Sequence, residues 1–183
     1  MQQKGMVWVI GASGGLGRAT AQAFAQNGWS VIAGARSFAA GTSPLGEGVT
    51  VLPLDVTSEE SCTAFVKKAL GMESRVDVLV CAAAQLVLGS CENTTVDELD
   101  RLLDVNVLGT VRMIQRALPL MRAQKSGKII LFSSINGLLG IPFQSAYTAS
   151  KHALEGYAEC LSMETADFGI LRVIVSDPDK ALE

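Results

Sequence analysis

Met6-Val7-Trp8-Val9-Ile10 followed by Gly11-Ala12-Ser13-Gly14-Gly15-Leu16-Gly17-Arg18 is the stretch that decides the fold. The first five residues form a short apolar run that stops at Gly11. From Gly15 the pattern becomes helical, with Ala19, Ala23 and Phe24 recurring until Asn27-Gly28, a good helix stop. A glycine turn joins strand to helix. Glycines let a backbone come close to a ligand, exposed N–H groups at a helix start point at an anion, and the helix dipole favours negative charge. A plain glycine-rich turn is the competing reading; the strand before and the helix after favour a dinucleotide.

Outward from this unit the alternation continues. Trp29–Ala35, Val49–Leu52, Arg75–Cys81, Lys128–Phe132 and Leu171–Val175 read as strands. Helical spacing runs from Ser58 to about Gly71, from Thr95 to Ala123, and from Ser145 to Phe168, while Ser37–Gly48 reads as a loop. Strands alternating with helices predict an α/β fold: a Rossmann-type, doubly wound parallel sheet with six recognisable strands, in a single domain over residues 1–183.

Composition narrows the partners. A formal charge of −3 with mixed signs gives no electrostatic case for nucleic acid or an anionic membrane. No window of eighteen uninterrupted apolar residues is present, so no transmembrane helix is expected. The apolar run after Gly5 is too short for a secretory leader, which predicts a cytoplasmic protein. Cys62, Cys81, Cys91 and Cys160 form no C-x-x-C pair and no metal spacing with His152, so reduced, mostly buried thiols and no metal are expected. His152 points about 100° around the helix from Lys151 and reads as a surface or interface residue.

Acid–base chemistry is suggested by Tyr147 and Lys151, four apart and so on one face of the last helix. A free tyrosine titrates near pH ~10, and a close cation favours its phenolate. A half-buried tyrosine beside a solvated lysine is the plainer alternative. Arg36 ends the second strand where an NAD site would want a carboxylate for the ribose 2′-hydroxyl; no acid occurs between Arg18 and Glu47. A guanidinium suits a 2′-phosphate, with Ser13 and Arg18 adding to the pocket, so NADP(H) is favoured over NAD(H). Asn106 sits mid-helix among apolar residues and needs a buried partner. Ser133 and Ser134 end the fifth strand, at the ligand crevice of a parallel sheet.

The G-x-x-x-G-x-G spacing at Gly11, Gly15 and Gly17, the Asp55-Val56 pair, Asn106-x-x-Gly109, the thirteen residues from Ser134 to Tyr147, and Tyr147-x-x-x-Lys151 together resemble the short-chain dehydrogenase/reductase family. Cys81, Ala83 and the bridge Gly137–Phe143 resemble its steroid 17β-dehydrogenase and retinol dehydrogenase branch. The resemblance implies coenzyme binding by Gly11, Ser13, Gly15, Leu16, Gly17, Arg36, Asp55, Val56, Cys81, Ala82, Ala83, Tyr147 and Lys151. It implies a catalytic set of Asn106, Ser134, Tyr147 and Lys151, with Ser134 and Tyr147 also holding the substrate, and Ser133 as a structural neighbour. The activity it implies is NADP(H)-dependent interconversion of a lipophilic, steroid- or retinoid-like secondary alcohol and its ketone. A 3-oxoacyl thioester is the alternative substrate, and an NADP(H)-binding protein with little or no catalysis the alternative function.

Departures are visible too. Ala82 and Ala84 replace the family's asparagine and glycine, removing a side chain that braces the sheet. Ser176-Asp177-Pro178-Asp179 lacks the expected Pro-Gly, and the substrate loop and seventh strand are expected to be missing. That would leave the sixth strand as an open edge. The family's dimer helices correspond to residues 95–123 and 146–168, predicting a homodimer or homotetramer.

Overall fold

The protein is described by a computed structural model over residues 4–38 and 45–176. Its elements are β1 (Met6–Ile10), α1 (Gly15–Gln26), β2 (Ser30–Ala35), β3 (Val49–Pro53), α2 (Glu59–Met72), β4 (Val78–Cys81), α3 (Val96–Leu103), α4 (Gly109–Gln124), β5 (Gly127–Phe132), α5 (Ser145–Thr165) and β6 (Ile170–Val175). The six strands form one sheet in the order β3-β2-β1-β4-β5-β6, every pair parallel. The chain works outward from β1 to β3 on one side, then returns to place β4 against β1, with Val7 opposite Val78. This reversal between β1 and β4 is the point at which open α/β sheets form a ligand crevice. Ser176 ends the description beyond β6; Asp177, Pro178, Asp179 and residues 39–44 of the expected loop lie outside the described residues.

Alternation along the strands sorts the core into two layers. Trp8 and Ile10 join Ile32, Leu79 and Cys81 on the face covered by α2, α4 and α5. Val7 and Val9 join Val31, Ala33, Val78 and Val80 on the face covered by α1. Trp8 meets Phe65 of α2 edge-on, with ring centroids 6.0 Å apart. A sheet buried on both faces explains why its central strands are apolar at nearly every position.

Two boundaries differ from the sequence reading. β4 starts at Val78 rather than Arg75, because Asp77 is used as a clamp: its Oδ2 accepts from the Met6 N–H at 2.8 Å and its Oδ1 pairs with Arg75. The long helix expected over 95–123 is not continuous. Asp104–Leu108 forms a π-helical turn between α3 and α4, in which the Gly109 N–H reaches the Asp104 carbonyl five residues back. Capping by Thr95 and Glu98 starts α3. β3 and β6 are the two edge strands among the described residues. No helix of the described residues is long and apolar enough to cross a membrane. Nor do the described residues include a cluster of three or more His, Cys, Asp or Glu able to hold a metal.

Candidate active site

The C-terminal ends of the strands open into a cavity of about 400 Å³. Its floor is the turn between β1 and α1. Gly11 and Gly15 have φ of +87° and +52°, a region that disfavours a side chain. A Cβ on Gly11 would strike the backbone of Ala83, and one on Gly17 would strike the Gly11 carbonyl. The three glycines therefore have separate reasons: Gly11 admits the β4 loop, Gly15 allows the bend, and Gly17 seats α1 against β1. Gly14 and Gly15 have open space where a Cβ would stand. Gly14 caps α1 with no side-chain bond, and the first turn holds no acid. A helix start with no side-chain cap and open space beside Gly14 and Gly15 fits the pyrophosphate of a dinucleotide coenzyme.

Ser13, Leu16, Arg36, Asp55 and Val56 continue the lining on one side. Asp55 Oδ1 accepts from the Thr57 N–H at 3.0 Å and from the Thr57 hydroxyl at 2.7 Å, and these bonds hold the carboxyl below its usual range. Partial burial opposes them, while the charges of Arg36 and Arg112 assist. Arg112 holds this wall in place: its Nη1 donates to the Val56 carbonyl at 3.0 Å and to Asp104 at 2.7 Å, and its Nε to Glu59 at 3.0 Å. Gly109 lies against Val56, where a Cβ would come within 2.6 Å of Cγ2. That close approach is the physical reason for a glycine three residues after Asn106.

Ala82, Ala83, Tyr147 and Lys151 line the opposite side. Lys151 is 2% exposed, and its ammonium donates to the Phe132 carbonyl at 2.7 Å. The same nitrogen lies 5.4 Å from the centroid of the Tyr147 ring. Burial pulls the lysine down to about 8, with the Glu155 charge pulling the other way. Tyr147 and Lys151 thus share one wall with a mostly desolvated cation beside the phenol, the arrangement inferred from their spacing.

Asn106 does not line the cavity but stands behind it. Its side chain clips the backbone of Gln85, accepting the Gln85 N–H at 2.7 Å and donating to its carbonyl at 2.9 Å. Its amide also donates to Ser150 Oγ at 3.0 Å, and Ser150 donates to the Tyr147 carbonyl at 2.7 Å. The π turn supplies the geometry for this reach. The chain of bonds also shows what steadies the segment after β4, where alanines stand in place of a bracing asparagine.

Two further expected site residues, Cys81 and Ser134, lie off the cavity lining, and the neighbouring Ser133 lies on it. Cys81 is buried in the layer with Trp8 and Ile10 and points away from the cavity; burial pushes its thiol up to about 12. Strand alternation sends its side chain inward and leaves the next residues, Ala82 to Gln85, to form the wall. Ser133, expected as structural, lines the cavity, and its hydroxyl is buried with no hydrogen-bond partner. Ser134 lies outside the lining. Its hydroxyl donates to Asn136 Oδ1 at 3.1 Å, and Asn136 donates in turn to Gln144 Oε1 and Thr148 Oγ1, both at 3.0 Å. Ser134 is therefore tied to the first turn of α5, on either side of Tyr147 in sequence. Gln85, Val105 and Phe132 also line the cavity and were not singled out; the crevice rule for strand ends could have found Phe132 and Gln85, whereas Val105 depends on the π turn.

Comparison with known proteins agrees with this geometry. The sequence model of the family described as short chain dehydrogenase matches residues 5–179. The chain belongs to the short-chain dehydrogenase family. Among the family's members, it is 36% identical over 177 residues to 3-ketodihydrosphingosine reductase of Bacteroides thetaiotaomicron, covering 97% of this chain and 64% of that protein. It is 44% identical over 119 residues to human 17-beta-hydroxysteroid dehydrogenase type 1, covering 65% of this chain and 36% of that one. The crystal structure of a short-chain dehydrogenase from Streptomyces avermitilis superposes with a TM-score of 0.88 at 35% identity, covering 96% of this chain and 66% of that one. The chain thus spans 36% to 64% of the length of these two curated relatives.

Proposed function

We propose that this short-chain dehydrogenase uses NADP(H) to interconvert a lipophilic secondary alcohol and its ketone. One observation carries the reading: the uncapped start of α1 and the Tyr147–Lys151 pair line the same cavity, with Arg36 beside Asp55 in its wall. The glycine cradle would hold the pyrophosphate, Arg36 and Ser13 a 2′-phosphate, and Asp55 the adenine. A bound nicotinamide supplies or accepts the hydride at the substrate carbon. The protein's own task is the proton. In reduction the Tyr147 hydroxyl gives its proton to the substrate oxygen, and in oxidation its phenolate takes one back. Lys151 places its ammonium 5.4 Å from the centroid of the Tyr147 ring, and Asn106 steadies the Gln85 loop directly and the backbone of Tyr147 through Ser150. Ser134 would hydrogen-bond the substrate oxygen.

A lipophilic substrate is supported by exposed Leu86 and Leu88 after β4 and exposed Leu138, Leu139 and Phe143 before α5. The two segments are joined by a bond from the Gly89 N–H to the Phe143 carbonyl at 3.0 Å. A homodimer or homotetramer is part of the same reading. The rival, coenzyme binding without turnover, draws on the commitment of the Ser134 hydroxyl to Asn136.

The test is consumption of NADPH and of NADH, followed by absorbance, with a panel of steroid, retinoid and aryl ketones. Turnover with NADPH is expected, and Tyr147→Phe should lower kcat by about 10²–10⁴-fold while leaving NADPH affinity nearly unchanged. Binding of NADPH without turnover on any ketone favours the rival. Full turnover by Tyr147→Phe refutes the mechanism.

A further inference from the structure

Two walls of the cavity come from distant parts of the chain: one at Asp55 and Val56, the other at Tyr147 and Lys151. Between them runs the π turn Asp104–Leu108, whose Val105 lines the cavity and whose Asn106 is buried behind it. Asn106 holds the Tyr147 wall from the back. Its amide donates to Ser150 Oγ at 3.0 Å, and Ser150 donates to the Tyr147 carbonyl at 2.7 Å. The place of the π turn therefore sets where the first turn of α5 stands.

Arg112 is what holds the π turn against the first wall. A single nitrogen, Nη1, donates both to the Val56 carbonyl at 3.0 Å and to Asp104 Oδ1 at 2.7 Å, so one group spans the wall and the turn. Nε reaches Glu59, in the first turn of α2, at 3.0 Å. The Arg112 side chain is 17% exposed and that of Glu59 68%, so the two Nη1 bonds are the better shielded from water. A lysine ammonium lacks the planar fork that reaches all three acceptors. Gly109 closes the same seam, since a Cβ there would strike Val56. A π turn interrupts the i→i−4 ladder, so α3 and α4 do not fix it as a continuous rod would. The clamp from Val56 does.

We propose that Arg112 is a positioning residue that ties the Val56 wall to the Tyr147 wall, so that filling the adenine end of the cavity fixes the place of the phenol. The inference rests on the reading that the adenosine half of a coenzyme lies against Asp55 and Val56. The tie is reciprocal: what holds one wall through Arg112 holds the other. The probe is 2′,5′-ADP, which carries adenosine with its 2′- and 5′-phosphates and lacks the nicotinamide half that would meet Tyr147.

The protein has two tyrosines, Tyr147 and Tyr157, so labelling with ¹³Cζ-tyrosine gives two NMR signals, assigned with Tyr147→Phe. Titrating 2′,5′-ADP into the full chain at pH 7 should move the Tyr147 signal and leave that of Tyr157, packed against the core, nearly still. Arg112→Met should weaken the fragment by about three- to tenfold, the worth of one hydrogen bond in the wall. At saturating fragment its Tyr147 signal should stay at the ligand-free position. Asp104→Leu, at a side chain 32% exposed, cuts the tie and leaves Arg112 on Val56. There the fragment's Kd should stay within about twofold while the Tyr147 response is again lost. This second variant settles the matter if Arg112→Met fails to fold. A merely structural role lowers the unfolding midpoint and spares the response, and a response intact at saturation in either variant overturns the proposal. Binding of 2′,5′-ADP to the wild type with no movement of the Tyr147 signal refutes the tie and leaves the coenzyme reading standing. If neither 2′,5′-ADP nor NADPH binds, that reading is itself wrong and the inference falls with it.

Discussion

Lys151 shows how a single buried charge ties acidity to stability. Its ammonium is desolvated, held by the Phe132 carbonyl, and titrates at about 8 when folded. Between that value and the ordinary lysine value, ~10.4, the unfolded chain binds a proton that the folded chain has released. Stability therefore rises as pH climbs through this window, and the full cost of the buried charge is present below pH 8. Lys151→Met removes the cost. Its advantage in unfolding free energy over the wild type should shrink by about 3 kcal/mol between pH 7 and pH 10.5, measured by urea unfolding at each pH. At this scale the sequence was informative where chemistry depends on spacing within one element, as with Tyr147 and Lys151 on one helical face. It was uninformative where a side chain's partner comes from elsewhere. Ser134 turns to Asn136 because Gln144 and Thr148 sit across from that amide, and no local pattern announces this.

Glycines of the β1–α1 turn separate packing from binding. Gly17 leaves no room for a methyl group, because the Gly11 carbonyl occupies its place. Gly17→Ala should push α1 off β1 and lower stability by about 1–3 kcal/mol. Gly14 has an extended φ of −163° and open space beside it. Gly14→Ala should leave the thermal midpoint nearly unchanged yet weaken NADPH binding by about tenfold, since the methyl group enters the cradle. Thermal melts and NADPH fluorescence titrations of the two variants check both halves. The turn and its flanking elements were legible because a change of hydrophobic period marks each boundary. The π turn was not, since apolar residues on either side of Asp104–Leu108 continue to read as one helix and the extra residue per turn leaves no compositional mark.

Across the whole molecule, the two apolar layers govern which thiols can react. Cys62 and Cys81 are buried, and burial raises both thiols. Cys91 and Cys160 are exposed. Iodoacetamide at pH 8 should therefore modify Cys91 and Cys160 within minutes and spare Cys62 and Cys81 until the fold is opened with urea, as peptide mass spectrometry will show. The parallel sheet and its six strands were legible from the alternation of short apolar runs and helical segments. The position of Cys81 was not, because the family's motif is read along the chain, whereas the inward turn of its side chain is fixed by pairing with β1 and β5.

The order of the strands has a consequence for how the chain comes together. The cavity's walls come from two stretches, one ending at Val56 and one beginning at Ala82. They meet only when β4 docks on β1, a pairing that joins residues seventy-one positions apart, as the Met6–Asp77 bond records. Closing so long a loop is entropically costly, so competence to take up a ligand arrives as one late event and does not accumulate piece by piece. Until that seam shuts, β1 presents a bare, wholly apolar flank, and a nascent chain is then most vulnerable to annealing with the wrong strand.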